Sequence, residues 1–204
     1  MPRVRGLVLT SWLMAAGILL LAAVLGPQLD RLPKQQQIRQ ANIEYFEACA
    51  RTTRGLGFLK PEPRITRTAP YSFVMKYFAE LMKDIPRAAF VAALQLEGIP
   101  CDGLFYEPVY RSSLFPVNAA EYPALSWGRD KPLDLRNMYR CPASERAAYH
   151  EAIWFPHHLF LGDKKEIDTI ADAIFKTLHN IEELRGLEHP AIRAQGQSRA
   201  DRES

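Results

Sequence analysis

The clearest hydrophobic pattern lies near the C-terminus, where apolar residues recur at spacings of three and four. They are Ile167, Ile170, Ile174, Leu178 and Ile181. This spacing places them on one face of an amphipathic helix. Asp163 and Glu166 precede the stripe three residues apart, an arrangement that predicts a capping box at the start of the helix. The tail, residues 185–204, is polar and without a stripe, and it is predicted to be disordered.

Two elements are predicted in the middle of the chain. Tyr71–Tyr77 carries large apolar residues at odd positions, which predicts a strand. Arg87–Glu97 is rich in good helix formers, with Pro86 suited to the first helical position and Gly98 to the C-terminal cap. A helix therefore follows the strand.

After this helix, the sequence predicts a long loop followed by a short helix and a short strand. Residues 103–140 hold many aromatic residues and prolines without a sustained period, which predicts a long ordered loop with one short strand near Cys101–Tyr106. Ser144–Glu151 predicts a short helix and Ala152–Phe155 a short apolar strand. The fold class expected is α+β, a short antiparallel sheet flanked by helices.

The N-terminal pattern is apolar on all sides. Gly6–Gln28 contains no charge and is long enough to cross a bilayer, which favours a membrane anchor. The alternative is a helix buried within a larger protein, apolar because every face packs. Helical spacing continues from Ala22 to Cys49, although Pro27 and Pro33 predict a kink or a break into two helices.

The composition excludes several classes of protein but does not indicate a particular reaction. The net charge of +3 is small and dispersed along the chain, so no nucleic-acid partner is expected. The three cysteines lie far apart, with neither a Cys-x-x-Cys pair nor a histidine at ligand spacing. They indicate reduced thiols of a cytosolic protein, with no disulfide framework and no metal site.

Five fragments, in order, resemble the DegT–StrS group of pyridoxal-phosphate-dependent sugar and aminocyclitol aminotransferases. They are Ala22–Leu32, Phe90–Cys101, Phe105–Phe115, Arg140–Tyr149 and Trp154–Gly162. The first is similar to the family's Ala-Ala-x-Leu-x-x-Gln-Leu-x-Arg-Leu interdomain helix, and the fourth to its Cys-Pro-x-x-Glu helix start. The resemblance assigns residues 22–184 to the small C-terminal domain, after a hydrophobic segment of residues 1–21.

The resemblance also implies what the sequence is expected to lack. In the family, a large domain precedes the interdomain helix, binds pyridoxal phosphate and carries the lysine that forms the Schiff base. Residues 1–21 are too few to hold it. Ser72–Lys76 is similar to the family's Ser-Phe-x-x-x-Lys but is one residue short and follows the interdomain helix, so Lys76 is interpreted as a solvated strand lysine. No catalytic or cofactor-binding residue is therefore expected in this chain.

Four residues are candidates for a substrate pocket: Tyr106, Tyr110, Arg111 and His157. The first three lie in the loop that lines the sugar pocket in the family, and hydroxyl and guanidinium groups suit a ligand rich in oxygens. The tyrosines could equally pack the loop onto the domain. His157 could meet a substrate or be structural.

Three nearby residues are expected to have structural roles. They are His158, Cys141 as a buried apolar residue, and Glu145 in the first turn of its helix.

The family reaction implied is amino transfer from glutamate or glutamine to a keto-sugar or inosose. The chain is expected to be inactive alone, with a chain carrying the missing domain, or an intact family dimer, as its partner. The alternative is a non-catalytic binding or scaffold protein anchored to a membrane through residues 6–28. By family the location expected is cytoplasmic.

Overall fold

The computed structural model describes residues 2–60, 62–65, 68, 70–104, 106–112, 124, 128 and 139–187. In the first helix, side chains are described for Met14 and from Gly17 onward. The expectations for most of the aromatic loop, and for the tail after Leu187, lie outside these residues.

A three-stranded antiparallel sheet forms the centre of the fold, in the order β1 (Leu56–Phe58), β2 (Ser72–Tyr77) and β3 (Ala152–Pro156). Along β2 the odd-numbered residues are buried and the even-numbered ones are not, which confirms the strand predicted from its alternation. The register sets Val74 opposite Trp154 on the sheet face away from the core.

Four helices with described bounds accompany the sheet. They are α1 (Pro2–Ala50), α2 (Arg87–Leu96), α3 (Pro142–Arg146, continued by a π-helical turn over Ala147–Glu151) and α4 (Lys164–His179). Asp163 and Glu166 form the predicted capping box at the start of α4. Gly98 has a φ of 83° just after α2, a left-handed conformation that glycine adopts without strain. The α+β class is confirmed.

The core lies between the inner face of the sheet and helices α1, α2 and α4. Phe46 of α1 is completely buried and meets the rings of Phe58, Phe73 and Phe160 at centroid distances of 5.6–6.3 Å. The amide of Asn42 fixes α1 further by donating to the backbone oxygens of Phe160 at 3.0 Å and Gly162 at 2.9 Å. The C-terminal third of α1 is thereby an integral part of the domain.

Three local predictions are corrected. Helix α1 runs without a break through Pro27 and Pro33, because each proline removes a single backbone hydrogen bond while its neighbours keep theirs. The strand expected at Cys101–Tyr106 is reduced to one bridge between Asp102 and Trp154. Strand β1, which the sequence analysis does not predict, is too short to show a period.

The N-terminal half of α1 extends away from this core. Its large apolar side chains with a described exposure, from Met14 to Leu29, are each more than half exposed, and Ile18–Leu21 are 65–71% exposed. Among the described residues, no helix is both long and apolar enough to cross a membrane. The side chains of residues 6–13, 15 and 16, on which the anchor prediction also depends, lie outside that description.

Candidate functional site

The structure brings two of the four candidate residues together around Glu145. Tyr110 and Arg111 share a single 3₁₀ turn, Val109–Arg111, and Glu145 lies in the first turn of α3. The Tyr110 hydroxyl donates to Oε1 of Glu145, and Nη2 of Arg111 donates to the same oxygen at 3.0 Å. We call Tyr110, Arg111 and Glu145 the anchor cluster.

Charge and hydrogen bonding reinforce each other in the anchor cluster. The Tyr110 hydrogen bond, and then the Arg111 guanidinium, hold the pKa of the Glu145 carboxyl below its ordinary value. The pKa of Arg111 is raised in return, chiefly through its interaction with Tyr110 and also through Glu145. Both charged side chains are about a quarter exposed, at 27% and 25%. The cluster therefore holds an ionised pair at neutral pH at the boundary between protein and solvent.

The Tyr110 hydroxyl is already occupied within the protein. It donates its proton to Glu145 and accepts the backbone N–H of Cys141 at 3.2 Å. A hydroxyl has one proton to donate, so this group cannot also donate to a ligand. Arg111 keeps spare capacity, because a guanidinium carries five N–H donors, the bond to Glu145 uses one of them, and the side chain is 27% exposed; its Nε is buried without a hydrogen-bond partner among the described residues. Arg111 is thus the member of the cluster best able to contact a ligand.

Tyr106 lies elsewhere, against the outer face of the sheet. Its ring meets Trp154 edge to face at a centroid distance of 5.1 Å, while half of the residue, 52%, stays exposed. Trp154 also carries the bridge to Asp102, so β3 and the segment before Tyr106 are joined at this point. The two rings form an aromatic surface accessible to solvent.

His157 occupies a third position, directly after β3. Its Nδ1 lies 3.1 Å from the backbone oxygen of Tyr71, a distance that fits an Nδ1–H donor. This contact joins the ends of neighbouring strands β2 and β3. The role of His157 in a pocket stays a prediction, and the contact itself is one that a structural histidine makes.

The expectation for Cys141 is corrected and the role of Glu145 is enlarged. Cys141 is exposed, because it lies at the N-terminal cap of α3 and turns away from the core. Glu145 does lie in the first helical turn as predicted, but its carboxylate also bonds two side chains 34 and 35 positions away. The Cys-Pro-x-x-Glu spacing marks the residue in the sequence, while only the fold shows these partners.

The position of Lys76 bears on its resemblance to the family's Schiff-base lysine. A pyridoxal phosphate site needs a lysine able to reach the cofactor aldehyde and a carboxylate on the ring nitrogen. Lys76 lies in the middle of β2, where it pairs with Gly57 on one side and Ala152 on the other. It lies on the sheet face opposite Met75 and Tyr77, as expected for a strand lysine. The described residues also contain no cluster of three or more potential metal ligands.

Two proteins of similar sequence each match 80% of this chain. It is 32% identical over 174 residues to a proposed L-glutamine:3-amino-2,3-dideoxy-scyllo-inosose aminotransferase of Streptoalloteichus tenebrarius, covering 80% of this chain and 40% of that protein. A protein of the same name from Micromonospora echinospora is 28% identical over 165 residues, covering 80% and 39%. This chain thus spans about two fifths of the length of these relatives. No protein-family model matches the sequence.

The fold is shared with a solved structure. The crystal structure of 3-amino-5-hydroxybenzoic acid synthase superposes with a TM-score of 0.55 at 20% identity, covering 75% of this chain and 36% of that enzyme. The structural match shows a shared fold, and each of these matches covers only a part of the other protein. The chain is a partial homologue of the DegT–StrS aminotransferases, related to them over about two fifths of their length.

Proposed function

We propose that these residues form the substrate-contacting small domain of an aminotransferase that moves an amino group from glutamine or glutamate to the ketone of a cyclitol or sugar. The lysine and the pyridoxal phosphate belong to a large domain outside these 204 residues, whether joined to them or separate. The observation that carries the proposal is the match over 80% of the chain to two relatives named as inosose aminotransferases.

The exposed groups of the domain suit a polyhydroxylated ring. Arg111, whose side chain is 27% exposed, offers N–H donors in a planar fork, which pairs well with the oxygens of neighbouring hydroxyl or ketone groups. Tyr106, which is 52% exposed and packs on Trp154, offers an aromatic surface that can cover an apolar ring face. These are binding and orienting roles.

The exposed half of α1 supports the need for a second domain. We define the α1 apolar surface as Met14, Ile18–Leu21, Val24, Leu25, Leu29 and Leu32, which are 37–71% exposed. Contiguous apolar surface of this kind marks an interaction site in soluble proteins. We propose that it packs on the large domain, which corresponds to the part of the relatives that this chain does not match.

Reconstitution tests the proposal. The chain is mixed with the part of the Streptoalloteichus tenebrarius relative that it does not match, and amino transfer from glutamine to 3-amino-2,3-dideoxy-scyllo-inosose, the acceptor in that relative's name, is measured with added pyridoxal phosphate. We expect no transfer by the chain alone and transfer by the mixture. Lys76→Arg should leave transfer by the mixture unchanged. Failure of every such mixture to bind or to transfer would overturn the proposal.

Two further outcomes separate the alternatives. The chain alone could show a Schiff-base absorption band that borohydride abolishes by reducing the imine. If that band were also absent from Lys76→Arg, the chain would need no second domain to hold the cofactor. Recovery of the expressed chain in the membrane fraction, released only by detergent, would instead favour the membrane-anchored scaffold expected as the alternative.

A further inference from the structure

We propose that Glu145 is a positioning residue for the ligand site: its carboxylate holds the Arg111 guanidinium in the orientation that meets the oxygens of a cyclitol. The inference rests on the proposed function and adds a residue to it. Sequence reasoning gave Glu145 only a role within its own helix, whereas the structure joins it to the segment that carries Arg111.

The geometry fixes Arg111 from several directions. Oε1 of Glu145 accepts both the Arg111 Nη2–H and the Tyr110 hydroxyl, and the backbone N–H of Cys141 holds that hydroxyl from the other side. The Arg111 guanidinium carbon also lies 5.8 Å from the centre of the Tyr110 ring. The 3₁₀ turn and the start of α3 are thus tied at adjacent points, and the guanidinium plane is set by them.

Orientation is the main effect expected from such a cluster. An ion pair that is a quarter exposed contributes little to folding, because solvent screens its attraction. Holding an arginine still has a larger effect on binding, since an arginine with several rotatable bonds loses its freedom when it meets a ligand. If Glu145 removes that freedom beforehand, less affinity is lost when the ligand arrives. The Arg111 side chain, which is 27% exposed, then presents a guanidinium that is already held in place.

Three variants of the full chain test the inference. Glu145→Ala removes the acceptor, Glu145→Gln keeps an oxygen acceptor but loses the charge, and Arg111→Lys keeps a charge without the planar fork. Glu97→Gln is the matched control, because Glu97 forms a comparable ion pair 2.8 Å from Lys176 and is 34% exposed. The probe is scyllo-inosose, a pentahydroxycyclohexanone, and binding is followed by NMR titration.

We expect the wild-type chain to bind the probe weakly, with a Kd on the order of millimolar. Glu145→Ala should weaken binding about five- to tenfold, the range expected when one immobilised side chain is freed. Glu145→Gln should restore part of that loss, and Glu97→Gln should bind as the wild type does. Arg111→Lys should weaken binding at least as much as Glu145→Ala does.

A measurement without ligand shows whether the orientation itself changes. In the wild type, the Arg111 Nε–H should give a sharp resonance that exchanges slowly with water, and Glu145→Ala should broaden or remove it. Binding by the wild type that is unchanged in Glu145→Ala would overturn the positioning role and leave the proposed function intact. A wild-type chain that does not bind the probe would overturn both.

Discussion

A buried arginine outside the ligand site, Arg87, joins two elements through hydrogen bonds to backbone oxygens. Arg87 is 3% exposed, and its Nη1 donates to the backbone oxygens of Ala148 at 3.0 Å and Ala152 at 2.9 Å. Burial lowers the pKa of its guanidinium to about 10, while the charge of Asp102 acts in the opposite direction. Arg87 is therefore still charged at neutral pH and ties α2 to the π-helical turn before β3.

Replacing this arginine should be costly. We expect Arg87→Ala to lower the free energy of unfolding by about 2–4 kcal/mol, because it leaves two backbone acceptors without their donor and opens a cavity. Urea denaturation measures the change. Arg185→Ala is the control, since Arg185 also donates to a backbone oxygen, that of Lys83, but at the surface, and it should change stability by less than about 0.5 kcal/mol. Equal losses in the two variants would contradict the role given to burial.

The anchor cluster should respond to acid. Its neighbours hold the pKa of Glu145 below the ordinary value of 4.5, so the charged form is the one that the folded state favours. The stabilisation is then fully present above the ordinary pKa and is lost as the pH falls through the lowered one. We expect the chemical shift of the Arg111 Nε–H resonance to change with a midpoint below 4.5, and Glu145→Gln to abolish that transition. A midpoint above 4.5 would show that the carboxylate is not held by these neighbours.

Among the elements, helix α4 begins at a complete capping box. The Asp163 side chain accepts the backbone N–H of Glu166 at 3.0 Å, and the Glu166 side chain accepts that of Asp163 at 2.9 Å. We expect Asp163→Ala to lower the unfolding free energy by about 1 kcal/mol, because the backbone N–H of Glu166 loses its side-chain acceptor. Asp163→Asn, which keeps an acceptor oxygen, should lose less than half as much in thermal or urea denaturation. An asparagine variant as unstable as the alanine one would argue against capping as the cause.

The elements most accurately predicted from the sequence are those with local causes. The stripe and cap of α4, the alternation of β2 and the Pro86–Gly98 boundaries of α2 all depend on residues within a few positions of one another. Strand β1 is different, because Leu56–Phe58 becomes a strand only by pairing with Met75–Tyr77. The single bridge at Asp102 likewise depends on Trp154, 52 positions away.

The candidate site also combines features with local causes and features that depend on distant residues. Residue type and motif spacing indicated Tyr110 and Arg111, but their partner Glu145 lies more than 30 positions along the chain. Sequence reasoning therefore left the Tyr110 hydroxyl between a ligand contact and packing of the loop, and it gave Glu145 a role in its own helix. The fold gives the hydroxyl two partners within the protein, so Arg111 is the better candidate for a ligand contact.

At the scale of the whole molecule, the α1 apolar surface is the feature that most needs a partner. We expect the double substitution Leu21→Glu, Leu25→Glu to weaken binding to the lysine-bearing domain at least tenfold, because two exposed apolar contacts become charged. The unfolding free energy of the chain should stay within about 0.5 kcal/mol, since neither side chain packs in its core. Calorimetric titration and urea denaturation measure the two quantities.

A control and a contrary result complete this test. Gln37→Glu places a charge on an exposed position of the same helix beyond the apolar surface, and it should leave the affinity for the lysine-bearing domain unchanged. Binding of the double variant at wild-type strength would show that the large domain meets another part of the chain.

The double hydrogen bond from Asn42 gives α1 the mechanics of a lever arm. Asn42 and Ile18 are separated by 24 helical residues, a distance of about 36 Å at 1.5 Å per residue. A tilt of about one degree at Asn42 therefore moves Ile18 by roughly 0.6 Å. A partner bound at the far end of α1 is therefore displaced by small rotations of the domain. These displacements are large enough to be measured by a pair of spectroscopic labels.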